Sequence, residues 1–247
     1  MVDFVVVIPA RYASVRLPGK ALRDIRGKPM IQHVYERGTE SGATEVVIAT
    51  DDERIADAGE KFGAVVCMTG DHRQSGTERI GEVADLMDWE DEQIVVNLQG
   101  DEPAMPPQLI DQCASLLRDA TADIATLASP FRNQDDFQNP NCVKVIRDVN
   151  DHAIYFSRAS IPYPRDEGSD TRAASAALHH HGIYAYRCGV LRRLVASAPS
   201  ELEICEQLEQ LRALSLGMTI AVGVPPVRPG TGVDTEEDLE RASRELA

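Results

Sequence analysis

FVVVIPARYASVRLPGK, residues 4–20, joins a continuous β-branched run to a loop punctuated by Pro9, Pro18 and Gly19. An apolar run without polar alternation predicts a strand buried on both faces, as in the middle of a parallel sheet. The loop carries Arg11, Arg16 and Lys20. Guanidinium, ammonium and backbone N–H donors in a turn that approaches a ligand suit a polyphosphate. The spacing is neither GxxxxGK[ST] nor GxGxxG, and a plain basic surface loop is the other reading of the same residues.

Working outward, strands and helices alternate. Helical patterns are predicted at 29–42, 52–62, 77–87 and 106–118, and strands at 45–50, 64–68, 93–98 and 124–127. Such alternation predicts an α/β fold with a doubly wound, mostly parallel sheet, in which ligands bind beyond the carboxyl ends of the strands. Three feature-rich segments fall at such ends: 9–20, Asp51 and 99–102. One active site is expected across them. The later half differs, with strands at 143–147, 153–157, 183–187 and 219–222, a polar loop at 165–177, and helices at 191–198, 204–216 and 235–246.

The 247 residues suffice for one large α/β domain, read as a single unit over 1–247. No stretch reads as a signal peptide, and no apolar run approaches the roughly 20 residues that span a bilayer. Membrane insertion is therefore not expected. Cys67, Cys113, Cys142, Cys188 and Cys205 are scattered and odd in number, which argues against a zinc site or a disulfide framework and for a reducing cytoplasm. A formal net charge of −15 excludes a general basic surface for nucleic acid. Against that background Arg11, Arg16, Lys20, Arg23, Arg26 and Lys28 concentrate positive charge, with Asp24 the only acid among them.

NLQGDEP at 97–103 ends a buried strand in carboxylates. Asp101 beside a phosphate loop suits magnesium, which takes one or two carboxylates along with phosphate oxygens; a turn former or N-cap is the alternative. In PGTGVDTEED, Thr235 and Asp238 have capping-box spacing, so Asp234 is either part of a helix start or a second metal carboxylate. QSGTER at 74–79 leads into a helix N-terminus, which offers free N–H groups; Arg79 is a ligand-facing or an exposed cation. His179, His180 and His181 are adjacent, so a strand turns them to opposite faces and no chelating site results. One of them hydrogen-bonding a substrate is the expectation.

Together these segments resemble the 3-deoxy-manno-octulosonate cytidylyltransferases, the CMP-Kdo synthetases. The matching stretches are PARYASVRLPGK (9–20), GKPMIQHV (27–34), ATD (49–51), QSGTER (74–79), NLQGDEP (97–103), NPNCVKV (139–145), YFSRASIP (155–162), HHGIYAYR (180–187), LEQLR (208–212) and PGTGVDT (229–235). They keep the family's order along nearly the whole chain.

The resemblance implies a Rossmann-like nucleotidyltransferase fold with a smaller β-containing sugar-binding and dimerisation portion. Residues 1–130 would mainly serve CTP, 131–228 the sugar and the dimer, and 229–247 would return to the core. It implies a homodimer that converts CTP and Kdo to CMP-Kdo and pyrophosphate with Mg2+, activating Kdo for lipopolysaccharide. By the same resemblance Ala10, Arg11, Ser75, Arg79 and Gln99 would line the CTP site. Arg16 and Lys20 would grip the triphosphate and act in catalysis with Asp101 and Asp234, the implied metal ligands. Gln99, Arg158, His180, Tyr184, Glu209 and Gln210 would face the sugar. The chain departs from the family pattern at His179, usually Lys or Arg, and at His181, usually aliphatic. That leaves Kdo and its 8-amino analogue both open.

Overall fold

The run at the amino terminus forms a strand in which every residue is buried. Its side chains alternate between two cores. Phe4, Val6, Ile8 and Ala10 join Ile31, Val34, Leu109 and Ile110 on one side of the sheet. Val5 and Val7 join Ile80 and Val83 on the other. Burial on both faces explains why no polar residue interrupts the run, and each buried Val or Ile contributes roughly 1.5–3 kcal/mol.

The computed structural model describes residues 3–13, 17–71, 75–166 and 170–246. In chain order the elements are β1 (Phe4–Ala10), β2 (Asp24–Ile25), β3 (Lys28–Pro29), α1 (Met30–Thr39), β4 (Glu45–Thr50), α2 (Glu53–Lys61), β5 (Val65–Met68), α3 (Gly76–Leu86), β6 (Ile94–Asn97) and α4 (Pro107–Asp119). There follow β7 (Ile124–Pro130), α5 (Gln134–Gln138), β8 (Lys144–Arg147), β9 (Ala153–Ser157), α6 (Asp170–Ala176), β10 (Leu178–Arg187), α7 (Cys188–Val195), α8 (Glu201–Glu206), α9 (Gln210–Ser215), β11 (Ile220–Gly223) and α10 (Glu236–Glu245).

The main sheet runs β11-β7-β10-β6-β1-β4-β5, with β8 paired onto β10 and β9 paired onto β8. β1 is parallel to β4 and β6, and β4 is parallel to β5. Those pairs set the ends of β1, β4 and β6 side by side, as the alternation predicts. β10 runs antiparallel to β6, β7 and β8, which brings the later half of the chain against the same edge of the site. No helix among the described residues is long and apolar enough to cross a membrane.

Several details differ from the sequence reading, among them the unexpected β2, β3 and α5 and the extension of β7 to Pro130. β10 begins at Leu178, not 183, and so includes all three histidines. The polar stretch at 165–177 contains α6. The helix expected at 191–198 starts at Cys188. The helix expected over 204–216 is two helices, because Gln207 adopts a left-handed conformation at φ 52° between α8 and α9.

Candidate active site

Gly100 lets the 99–102 turn lie against β1. A Cβ there would sit 2.7 Å from the Pro9 carbonyl oxygen, so only glycine permits this approach. The turn delivers Asp101, whose Oδ2 accepts from Lys20 Nζ at 2.8 Å. Lys20 Nζ also donates to Asp234 Oδ1 at 3.1 Å. The Val233 N–H donates to the Asp101 carbonyl at 2.8 Å and pins the 229–235 segment against the turn. Three distant stretches thus converge on one ammonium. Burial works against the Lys20 charge, but the carboxylates of Asp101 and Asp234 outweigh it and hold its pKa above the ordinary value.

The helix-cap reading of each aspartate is removed here, while Asp101 does sit in the turn closed by the Glu102 N–H to the Gln99 carbonyl. Helix α10 is capped by Thr235, in a capping box with Asp238, so the cap does not need the Asp234 carboxylate. Helix α4 has Pro106 at its N-cap, so Asp101 is not a cap. Neighbouring Glu102 has its pKa pushed up to about 8 by burial and then by the charges of Asp101 and Asp234. The two aspartates carry more charge than the single Lys20 ammonium between them, and a divalent cation would relieve that. The donor set is two hard carboxylates, which fits magnesium beside phosphate oxygens and water. No group of three or more metal-ligating side chains occurs among the described residues.

A cavity of about 220 Å³ opens beside Lys20 and Asp101, lined also by Pro9, Ala10, Arg11, Gly76 and Gln99. Ser75 caps α3, accepting from the Glu78 N–H at 3.2 Å. That helix carries Arg79, which is fully buried, not exposed. Its Nη2 donates to Asp51 Oδ2 at 3.0 Å and its Nη1 to Thr69 Oγ1. The ATD stretch ending β4 thus supplies the counter-charge for a buried cation. Arg11 Nη2 and Arg79 Nε are buried N–H donors with no acceptor among the described residues. Burial, and then the Arg79 charge, lower the Arg11 pKa. Two like-charged groups with unused donors can take acceptors from a ligand, which would relieve a cost of roughly 1–3 kcal/mol for each unsatisfied group. Arg16 and Gln74 lie outside the described residues.

A second cavity, about 200 Å³, shares Gly76 and Gln99 with the first and is lined by Asn97, His180, Tyr184, Glu209 and Gln210 among others. Asn97 Oδ1, Tyr184 Oη and Gln210 Nε2 are buried here and lack partners among the described residues. The Gln99 amide donates to the Gly182 carbonyl at 3.3 Å. His180 Nε2 lies 3.1 Å from Thr126 Oγ1. Burial holds the His180 pKa well below its usual value and the Tyr184 pKa well above, so both are neutral at pH 7. The strand alternation holds: His179 stacks on Phe131 and His181 Nε2 lies 2.7 Å from Ser129 Oγ. Those two line an adjoining cleft with Arg132 and Arg228, which His180 and Gly182 share with the second cavity.

Arg158 is not among the residues lining this second cavity. Its Nε, Nη1 and Nη2 donate to the carbonyls of Glu206, Pro140 and Gln207 at 2.7, 3.2 and 3.4 Å. The Glu206 carboxylate in turn accepts from Ser157 Oγ and the Arg158 N–H. The guanidinium thereby fixes the turn that leads to Glu209 and Gln210. Sequence reading did not single out Asn97, Thr77 or Tyr186. The available signal was a polar residue closing the buried run of β6.

A sequence profile of the family described as Cytidylyltransferase matches residues 5–220. A 3-deoxy-manno-octulosonate cytidylyltransferase of Thioalkalivibrio sulfidiphilus is 51% identical over 247 residues, 99% of each chain. A solved CMP:2-keto-3-deoxy-manno-octonic acid synthetase, complexed with CTP, superposes with a TM-score of 0.90 at 41% identity, covering 99% of this chain and 98% of that one. A 4-diphosphocytidyl-2C-methyl-D-erythritol synthase shares the fold at a TM-score of 0.66 and 13% identity, over 99% of both chains.

Proposed function

The chain belongs to the 3-deoxy-manno-octulosonate cytidylyltransferases within the cytidylyltransferase family, and from that premise we propose that it joins CTP to Kdo across the two adjoining cavities. The anomeric hydroxyl oxygen of Kdo bonds to the α-phosphorus of CTP. The bond from that phosphorus to the bridging oxygen breaks, pyrophosphate leaves, and the hydroxyl proton is released.

In this reading Ala10, Arg11, Ser75 and Arg79 hold the cytidine part, the unused Arg11 and Arg79 donors meeting its acceptor atoms. Lys20, with Arg16, offsets charge on the triphosphate. Gln99 lines both cavities and aligns the two substrates. Neutral His180, the Tyr184 hydroxyl, the Gln210 amide and Glu209 bind sugar hydroxyls, and Arg158 serves the sugar by fixing the turn that presents the last two. Reaction between two anions needs positioning and charge compensation more than a dedicated base. Asp101 and Asp234 are the residues that would hold magnesium. When bound, it supplies Lewis-acid stabilisation of phosphate oxygens and acidifies a nearby hydroxyl.

The observation that carries this reading is Lys20 held between Asp101 and Asp234 at the mouth of a cavity with unused buried donors. Pyrophosphate release measured with CTP, Mg2+ and either Kdo or its 8-amino analogue tests it. Release requiring all three components supports the reading and identifies the sugar. Release with sialic acid but neither octulosonate overturns it.

A homodimer is proposed with α8 in its interface, since Leu202 and Ile204 on that helix are exposed. Light scattering that gives a monomer mass at assay concentrations overturns this. The free state of all five cysteines supports a cytoplasmic location.

A further inference from the structure

Tyr12 has no role in the proposed chemistry, yet it sits at the root of the phosphate loop. The guanidinium carbon of Arg54 lies 3.3 Å from the centroid of its ring. The same ring lies against Gly19, where a Cβ would come within 3.3 Å of Cε2, Cζ and Oη. The Gly19 N–H donates to the Tyr12 carbonyl at 3.1 Å, and Gly19 takes a positive φ of 66°. These contacts close the two ends of the loop on each other immediately before Lys20.

Arg54 is itself fixed. Its Nε and Nη2 donate to Asp52 Oδ1 and Oδ2 at 2.9 and 2.6 Å, and Asp52 caps α2. The residue before it, Asp51, pairs with buried Arg79. One line of contacts therefore runs from the rigid start of α2 through Asp52, Arg54 and the Tyr12 ring to Gly19 and Lys20. A planar guanidinium over a flat ring orders the loop with few rotatable bonds, and a loop ordered before binding loses less entropy when the ligand arrives.

On the reading above, in which this loop receives the triphosphate, we infer that Tyr12 and Arg54 form a strap: they are positioning residues that hold Gly19 and Lys20 ready for CTP. The strap acts on nucleotide binding and not on the sugar. The test compares Tyr12→Ala, Tyr12→Phe, Arg54→Ala and the double variant Tyr12→Ala/Arg54→Ala. Steady-state constants are measured for CTP and Kdo, and amide hydrogen exchange at Gly19 and Lys20 is followed without nucleotide.

Tyr12→Ala and Arg54→Ala are expected to raise the KM for CTP about fivefold, the scale of an exposed cation–π contact. The KM for Kdo should stay near that of the parent, as should the melting temperature of Arg54→Ala, whereas Tyr12→Ala also loses ring packing against the core and should melt somewhat lower. Gly19 and Lys20 should exchange faster. Tyr12→Phe keeps the ring and should match the parent, and the double variant should be no worse than the weaker single one, because both changes break one contact. Unchanged CTP constants and exchange in Tyr12→Ala overturn the inference. So does a common loss in kcat, both KM values and melting temperature, which marks a general folding role. Should the parent release no pyrophosphate, the functional reading falls, and the exchange measurement alone decides the strap.

Discussion

Lys20 occupies the meeting point of two carboxylates that sit 81 and 214 residues away in the chain. The ammonium occupies the place between the two carboxylates that the proposed metal ion would take. On that proposal a metal arriving at the free enzyme has to displace the ammonium, whereas one arriving with CTP brings Lys20 a new anionic partner. Lys20→Met removes the competitor. The variant is expected to bind Mn2+ in the absence of nucleotide about tenfold more tightly than the parent, the scale of a single pKa unit of charge interaction. Titration followed by electron paramagnetic resonance reads the free ion directly. Equal or weaker Mn2+ binding by Lys20→Met means that the ammonium does not guard the site. Turnover by the same variant should fall by two orders of magnitude or more, on the order of losing one charge-stabilising group.

At the level of elements, the site depends on how closely the 99–102 turn approaches β1. Gly100→Ala places a Cβ 2.7 Å from the Pro9 carbonyl, and backbone has little freedom to yield. A loss of about 1–3 kcal/mol is expected in urea unfolding, the usual cost of overpacking. Activity should fall further than stability, since the turn must shift and carries Asp101 with it. Full activity with native stability in Gly100→Ala contradicts the close packing. The elements that build this region were legible in the sequence because continuous apolar strand runs and the helices that alternate with them are local signals. Arg11, Lys20, Asp51 and Asp101 could be read as site residues because they follow such runs directly. Asp234 could not be separated from a helix cap until Asp238 was seen to complete the capping box. The break between α8 and α9 was hidden, because it is imposed from outside. Arg158, just after β9, donates to the Glu206 and Gln207 carbonyls, and no local pattern in 201–215 records that. Asn97 and Tyr184 become neighbours only through the antiparallel β6–β10 pairing, a long-range fact that propensity does not carry.

Across the whole molecule, β10 joins the parallel strands β6, β1, β4 and β5 to β7 and to the β8–β9 pair, and its histidines make that junction sensitive to acid. His181 is buried, faces Ser129, and lies near His179, Arg132 and Arg228. Burial, and then the charge on those neighbours, push its pKa down to about 3. The unfolded chain, with an ordinary histidine, takes up a proton near pH 6.5, so it gains stability relative to the fold as pH drops below that value. The histidine therefore leaves stability intact above pH 6.5 and erodes it on the way down to pH 3. At pH 5 this one group should cost about 2 kcal/mol relative to pH 7.5. His181→Leu removes the titration and keeps a buried side chain of similar bulk, at the cost of the Ser129 contact at both pH values. Its urea unfolding free energy should fall less between pH 7.5 and pH 5 than that of the parent, by that same amount. His180, also lowered by burial, and the carboxylates remain in both proteins, so the difference isolates His181. Parallel pH curves for the two proteins would show that His181 takes up its proton in the folded sheet, which the Ser129 contact and the neighbouring arginines are arranged to prevent.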